Sequence, residues 1–203
     1  MPQDDIATNE LLRPGKGSKR VGALYEMAEV LSFAVLCIAV LFTFALRFAG
    51  VIGSSMAPTL IEGEWLAVTS ILPQPDRSDI VIISPRTTDF HDPLVKRVIA
   101  VAGDEIDIKD GCVLVNGNVT EELYLPEGLE TEPANDYQSN LQYPARVPAD
   151  RVFVMGDNRG GSADSRFNSV GFVRVDDILG KVLFRVKPFF ITKPSFEFTY
   201  RVK

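Results

Sequence analysis

The stretch EIDIKDGCVLVN, residues 105–116, decides the fold. Ile106 and Ile108 alternate with polar residues before Asp110-Gly111, and Val113 and Val115 alternate after it. A period of two marks a strand with one buried face, and Asp-Gly is a two-residue hairpin turn. Outward from this hairpin the same texture continues. Residues 79–84 (DIVIIS) and 94–101 (LVKRVIAV) read as buried strands, the second closing at the turn Ala102-Gly103-Asp104. Shorter strand patterns lie at residues 65–69, 152–155 and 181–186. Residues 126–148 are polar, proline-bearing and irregular, which reads as a surface insertion. No internal repeat is visible. The expected architecture is mainly β: antiparallel β-sheets with little helix, over residues 48–203.

Composition narrows the function classes. With 203 residues and a net charge of −6, the chain offers no broad face for nucleic acid. Cys37 and Cys112 lie far apart and no Cys/His cluster is present, so neither a disulfide framework nor a metal site is expected.

Residues 30–46 (VLSFAVLCIAVLFTFAL) carry no charge. That run, with Arg47 able to snorkel and Phe48 to Ile52 extending the apolar stretch, is long enough to enter a bilayer, and a leader of 29 residues is too long for the basic start of a cleaved signal peptide. The expected division is a tail at 1–29, a transmembrane anchor at 30–47 and an outer domain at 48–203. Arg13, Lys16, Lys19 and Arg20 precede the run and Arg47 alone follows it closely, which puts the N-terminus in the cytoplasm.

Just beyond the run stands Gly53-Ser54-Ser55-Met56-Ala57-Pro58-Thr59-Leu60. A serine hydroxyl needs a base before it becomes a nucleophile. The chain has one histidine, His91, set in a loop-like Phe90-His91-Asp92-Pro93. Lysine serves as the base where burial lowers its pKa. Lys96 lies in an apolar strand and shares a face with Leu94 and Val98, while Arg97 points the other way and is expected in solvent. A third block, residues 156–166 (GDNRGGSADSR), is dense in Gly, small polar and charged residues and follows an apolar strand directly. Such a loop permits close backbone approach. Ser55 with Lys96 behind an anchor reads as a membrane-bound serine–lysine protease.

These blocks, in this order, resemble the bacterial type I signal peptidases over roughly residues 30–190. The matching motifs are Ser55-Met56-x-Pro58-Thr59-Leu60, Gly63-Glu64, Lys96-Arg97-Val98-Ile99 with Gly103-Asp104, and Gly156-Asp157-Asn158-Arg159 with Ser162-x-Asp164-Ser165-Arg166. The resemblance implies Ser55 as nucleophile and Lys96 as general base. It implies that Ser162 hydrogen-bonds the lysine amine and that Asp164 and Arg166 form a structural pair. It places Val51, Ile52, Met56, Leu60, Leu66 and Val95 along shallow apolar pockets for small residues of an A-x-A type. It implies no metal and no organic cofactor. Partners would be exported preproteins and membrane lipid, at the bacterial cytoplasmic membrane, with the catalytic domain outside.

The chain departs from the family pattern in places. Gly53 stands where many relatives carry a serine whose hydroxyl supports the oxyanion hole. Glu64 replaces the usual Asp, Ala102 a frequent Pro, and Gly160-Gly161 the frequent Asp-Asn. Rival readings are a specialised conjugation- or pilin-processing peptidase with the same dyad, and a non-catalytic membrane-anchored β domain. Phe184, Phe189, Phe190, Phe196, Phe198 and Tyr200 near the C-terminal end read either as core residues or, with Phe48 and Ile52, as an apolar shelf against lipid.

Overall fold

The computed structural model describes residues 16–40, 42, 46–71, 74–135 and 137–186. The chain divides into two units, Met1–Phe44 and Ala45–Lys203.

The first unit contains one helix, α1 (Lys16–Val40). Its part Val21–Val40 is 20 residues long with a mean hydropathy of 1.9. At 1.5 Å per residue it covers about 30 Å, the thickness of a hydrocarbon core. Leu24, Tyr25, Phe33, Leu36 and Ile38 are all exposed. A helix apolar around its whole circumference has the composition of a membrane span rather than of an amphipathic surface helix. The boundaries differ from the expected anchor at 30–47. The helix starts earlier, taking in residues 16–29 of the expected tail, and Leu46 and Arg47 already belong to a strand. The apolar run continues across the change from helix to strand, so hydropathy alone could not locate it.

The second unit is built of antiparallel strands. In chain order they are β1 (Leu46–Gly50), β2 (Trp65–Thr69), β3 (Ile80–Ile83), β4 (Leu94–Val101), β5 (Glu105–Lys109), β6 (Cys112–Val115), β7 (Asn118–Val119), β8 (Ala145–Arg146), β9 (Arg151–Met155), β10 (Val173–Arg174) and β11 (Ile178–Val186). One sheet runs β1-β2-β11-β3-β4-β9-β10 and the other β7-β6-β5-β8. The hairpin expected at Asp110-Gly111 joins β5 to β6, with Ile106 opposite Val115 and Ile108 opposite Val113. Asp110 and Gly111 both have positive φ, 52° and 75°, as a type I′ turn requires. β8 lies inside the segment expected to be an irregular insertion and pairs with the start of β5. A two-residue edge strand leaves too short a pattern to read.

Ile106, Ile108, Val113 and Val115 from the small sheet pack with Ile99, Phe153 and Met155 from the large one. A second cluster joins Val81, Ile83, Val98, Val152, Val154, Val173 and Ile178. β4 therefore lies between two cores, and five consecutive residues of it, from Lys96 to Ala100, are buried. A third cluster, Ala49, Val51, Met56, Leu60, Leu66, Val68 and Ile82, holds the loop that follows β1 against the sheet. Of the expected apolar shelf, Phe48 and Phe184 both stand opposite Ala67 in the register, and both are exposed, as is Ile52. Phe189, Phe190, Phe196, Phe198 and Tyr200 lie outside the described residues.

Phe153 is fully buried and meets Phe172 edge-on with ring centroids 5.8 Å apart. Phe153→Ala should lower the unfolding free energy by about 3–5 kcal/mol, measured by urea titration of the detergent-solubilised chain. A loss under about 1 kcal/mol would mean that this core does not hold the sheets together.

Candidate active site

Three segments meet at Ser55. The first is the loop from β1 to β2. Val51 N–H donates to Glu64 C=O and Gly63 N–H to Val51 C=O, which closes the loop at its base. Glu64 Oε2 accepts the Ile61 N–H at 3.0 Å, so the longer acid in place of Asp still caps this turn. Ala57 N–H to Ser54 C=O and Leu60 N–H to Met56 C=O wind the chain tightly past Ser55, leaving that side chain half-buried.

The second segment is β4. Pairing with β3 sets Lys96 opposite Val81, on the face it shares with Val98; both valines are fully buried. Lys96 is 2% exposed, and its Nζ lies 2.7 Å from Ser55 Oγ. Burial disfavours the ammonium form and lowers the pKa from 10.5 to about 8, against the opposing fields of Asp164 and Asp157. A group at that value is partly neutral at physiological pH and able to accept a proton.

The third segment is the loop after β9. Asp164, fully buried, takes Arg166 Nε at 2.8 Å and Nη2 at 2.9 Å, and it also accepts the Gly156 N–H at 3.0 Å. Arg166 reaches the carbonyls of Arg159 and Glu132. Asp164 and Arg166 are thus ion-paired and shape this loop. Asn158 N–H donates to Ser55 C=O at 3.0 Å, tying the loop to the Ser55 segment.

Two expectations need correction. Arg97 is not in solvent. It is 6% exposed, with Nε and Nη2 on the Asp157 carboxylate at 2.9 and 2.7 Å and Nη1 on Ser78 C=O. Its guanidinium also sits 3.8 Å from the centroid of the Tyr124 ring. The strand alternation assigned its face correctly, but both faces of β4 are covered. The hydrogen bond from Ser162 to the lysine amine is not formed either. Among the described residues, buried Ser162 Oγ has no hydrogen-bond partner. It lies against Gly156, where an added Cβ would come within 2.2 Å of that oxygen and 2.4 Å of Ser55 C=O.

The six pocket positions separate. Val51, Met56, Leu60 and Leu66 are 0–3% exposed and belong to the third core cluster. Val95 is half-buried against it, and Ile52 is 78% exposed. Gly53 takes φ +81°, a left-handed conformation, and contributes no hydroxyl. His91 is exposed in the loop before β4, and no hydrogen bond joins it to Ser55 among the described residues.

Sequence reasoning missed the support around Arg97. Tyr124 Oη donates to Glu122 Oε1 at 2.6 Å, and the Glu122 carboxylate grips Arg159, whose Nη1 also meets Thr131 Oγ1. Residues 122–131 therefore brace the loop after β9. Nothing in the polar, irregular sequence there marked Tyr124 or Thr131; their role depends on partners distant in sequence.

Residues 24–187 match the family described as signal peptidase, peptidase S26. The chain belongs to the peptidase S26 family of signal peptidases. A probable signal peptidase I-2 from Synechocystis is 34% identical over 170 residues, covering 80% of this chain and 73% of its own. Signal peptidase I T from Bacillus subtilis is 35% identical over 175 residues, covering 84% of this chain and 89% of its own. A crystal structure of a signal peptidase I from Enterococcus faecalis is 29% identical, covers 54% of this chain and 97% of its own, and superposes with a TM-score of 0.42.

Burial of Lys96 links the site to stability. The folded lysine loses its proton near 8, whereas the unfolded one keeps it to about 10.5. Between those values the unfolded chain binds more protons, so stability rises with pH; below 8 that gain is absent. Lys96→Met removes the linkage. The difference in unfolding free energy between wild type and Lys96→Met should move by about 3 kcal/mol in favour of wild type from pH 7 to pH 10.5. Urea titrations at the two pH values measure it, and a gap that does not change with pH would contradict the lowered pKa.

Proposed function

We propose that Ser55 and Lys96 are the nucleophile and general base with which this signal peptidase removes signal peptides from exported preproteins. The observation that carries this reading is a buried lysine amine 2.7 Å from a half-exposed serine hydroxyl. The neutral Lys96 amine takes the proton of Ser55 as Oγ attacks the scissile carbonyl carbon. A C–O bond forms, and the carbonyl electron pair moves onto oxygen. Collapse of this intermediate breaks the C–N bond, and Lys96 returns its proton to the leaving amine of the mature protein. The signal peptide is left as an ester on Ser55. Lys96 then deprotonates a water that attacks the ester, releasing the signal peptide carboxylate and restoring the hydroxyl.

The oxyanion of each intermediate needs a donor, and the Ser55 N–H is the group for that role. The substrate lies extended along the domain, paired through its backbone, with the A-x-A residues against Val95 and Ile52 above the apolar cluster. Small side chains at the cleavage positions suit a surface whose remaining pocket residues are packed into the core. Helix α1 anchors the enzyme in the membrane, with the N-terminus in the cytoplasm on the strength of Lys16, Lys19 and Arg20 beside its start. Exposed Phe48, Ile52, Leu183 and Phe184 support contact of the domain with lipid.

Ser55→Ala and Lys96→Ala should each lower kcat/KM for a preprotein by about 10³-fold or more, and the double variant should be little worse. In wild type, kcat/KM should climb about tenfold per pH unit below about 8 and level off above it, because only the neutral amine accepts the proton. Near-wild-type turnover by Lys96→Ala, or a profile flat from pH 6 to 10, would exclude the lysine base. Protease added to spheroplasts should digest residues 48–203 and spare the N-terminal tail; protection of the domain would reverse the orientation.

A further inference from the structure

Asn158 makes two contacts with the nucleophile segment. Besides its N–H to Ser55 C=O, its side-chain Nδ2 donates to Ser54 C=O at 3.2 Å. Ser54 C=O also accepts the Ala57 N–H at 3.0 Å. The C=O of Ser54 and the N–H of Ser55 belong to one peptide unit. A trans peptide is planar and directs the two groups opposite ways, so whatever fixes the carbonyl also aims the N–H. Among the described residues no hydrogen bond uses the Ser55 N–H. It is the donor left over for a developing oxyanion, and Gly53 brings no hydroxyl to share that task.

Gly161 determines whether the Asn158 amide can stay in place. A Cβ at Gly161 would stand 2.7 Å from Asn158 Nδ2 and 3.0 Å from its Cγ. This glycine is one of the positions where the chain departs from the family pattern. Its missing side chain is the space against which the amide rests.

We infer that Asn158 is a positioning residue that aims the Ser55 N–H at the oxyanion by holding the Ser54 carbonyl, and that Gly161 leaves room for it to do so. The inference rests on Ser55 being the nucleophile. Without the side-chain bond, Ala57 N–H is the one remaining donor to the Ser54 carbonyl among the described residues. A rotation that brings the Ser54 carbonyl toward the substrate oxygen would set an acceptor against the oxyanion. The bond from Nδ2 also polarises the peptide unit, which strengthens its N–H as a donor.

The test uses full-length enzyme in detergent with Asn158→Leu, Asn158→Asp and Gly161→Ala. Asp matches Asn in shape but offers the carbonyl no donor. Three quantities are measured: kcat and KM on a signal-peptide substrate, inhibition by a peptide aldehyde of the same sequence, and affinity for an uncleavable peptide. The aldehyde carbon accepts Ser55 Oγ and its oxygen becomes the oxyanion, while the serine proton passes to Lys96. Both Asn158 variants should lose about 10- to 100-fold in kcat, with KM nearly unchanged and the ascending pH limb in place. Aldehyde inhibition should weaken by the same factor and uncleavable-peptide affinity should hold. Gly161→Ala should move in the same direction by a smaller factor. Equal weakening of aldehyde and uncleavable peptide, or a kcat within about threefold of wild type in both Asn158 variants, would overturn the inference while leaving the dyad standing. If the aldehyde binds wild type no better than the uncleavable peptide, the assignment of Ser55 fails, and this inference fails with it.

Discussion

The burial of one amine governs the architecture of this domain. Lys96 lies on a strand between two cores, 2% exposed, and its Nζ reaches Ser55. An ammonium in such a place would cost several kcal/mol, so the fold pushes it toward the neutral form. The same cost leaves the amine able to accept a proton. The sheet, the loop after β1 and the loop after β9 can all be understood as what is needed to keep that amine dry and in reach of a hydroxyl.

Two carboxylates lie near enough to oppose this, and each is neutralised by an arginine. Asp164 is held by Arg166, and Asp157 by Arg97. Left alone, either charge would favour the protonated lysine. Paired, they serve as scaffolding: Asp164 fixes Gly156 N–H, and the Arg97–Asp157 pair is covered by the Tyr124 ring. Buried ion pairs contribute little net stability, because desolvation offsets their attraction, but breaking one leaves an uncompensated charge beside the site.

Much of this was legible in the residues. The hairpin at Asp110-Gly111 and the strands around Ile82 and Val98 carry strong local patterns, and the structure reproduces them. A buried-strand lysine and a serine after an apolar run satisfy a chemical requirement, and Lys96 Nζ lies 2.7 Å from Ser55 Oγ. What failed was whatever depends on distant partners. Arg97 looked solvated because alternation reports the face and not what covers it. β1 was hidden because Leu46 and Phe48 continue the hydropathy of the membrane run. β7, β8 and β10 are two residues each, too short for any period. The pocket positions were carried over by resemblance, and four of the six are core residues here, because the loop that presents Ser55 is anchored through the same side chains.

The proposed role of Lys96 requires a neutral amine, and that amine can be observed directly. NMR titration of lysine labelled with ¹³C at Cε, assigned by comparison with Lys96→Arg, reports the protonation of each side chain. Wild type should show one lysine signal titrating near 8 that is missing from Lys96→Arg. A Lys96 signal that titrates near 10.5, the value of a lysine free in water, would contradict a neutral amine.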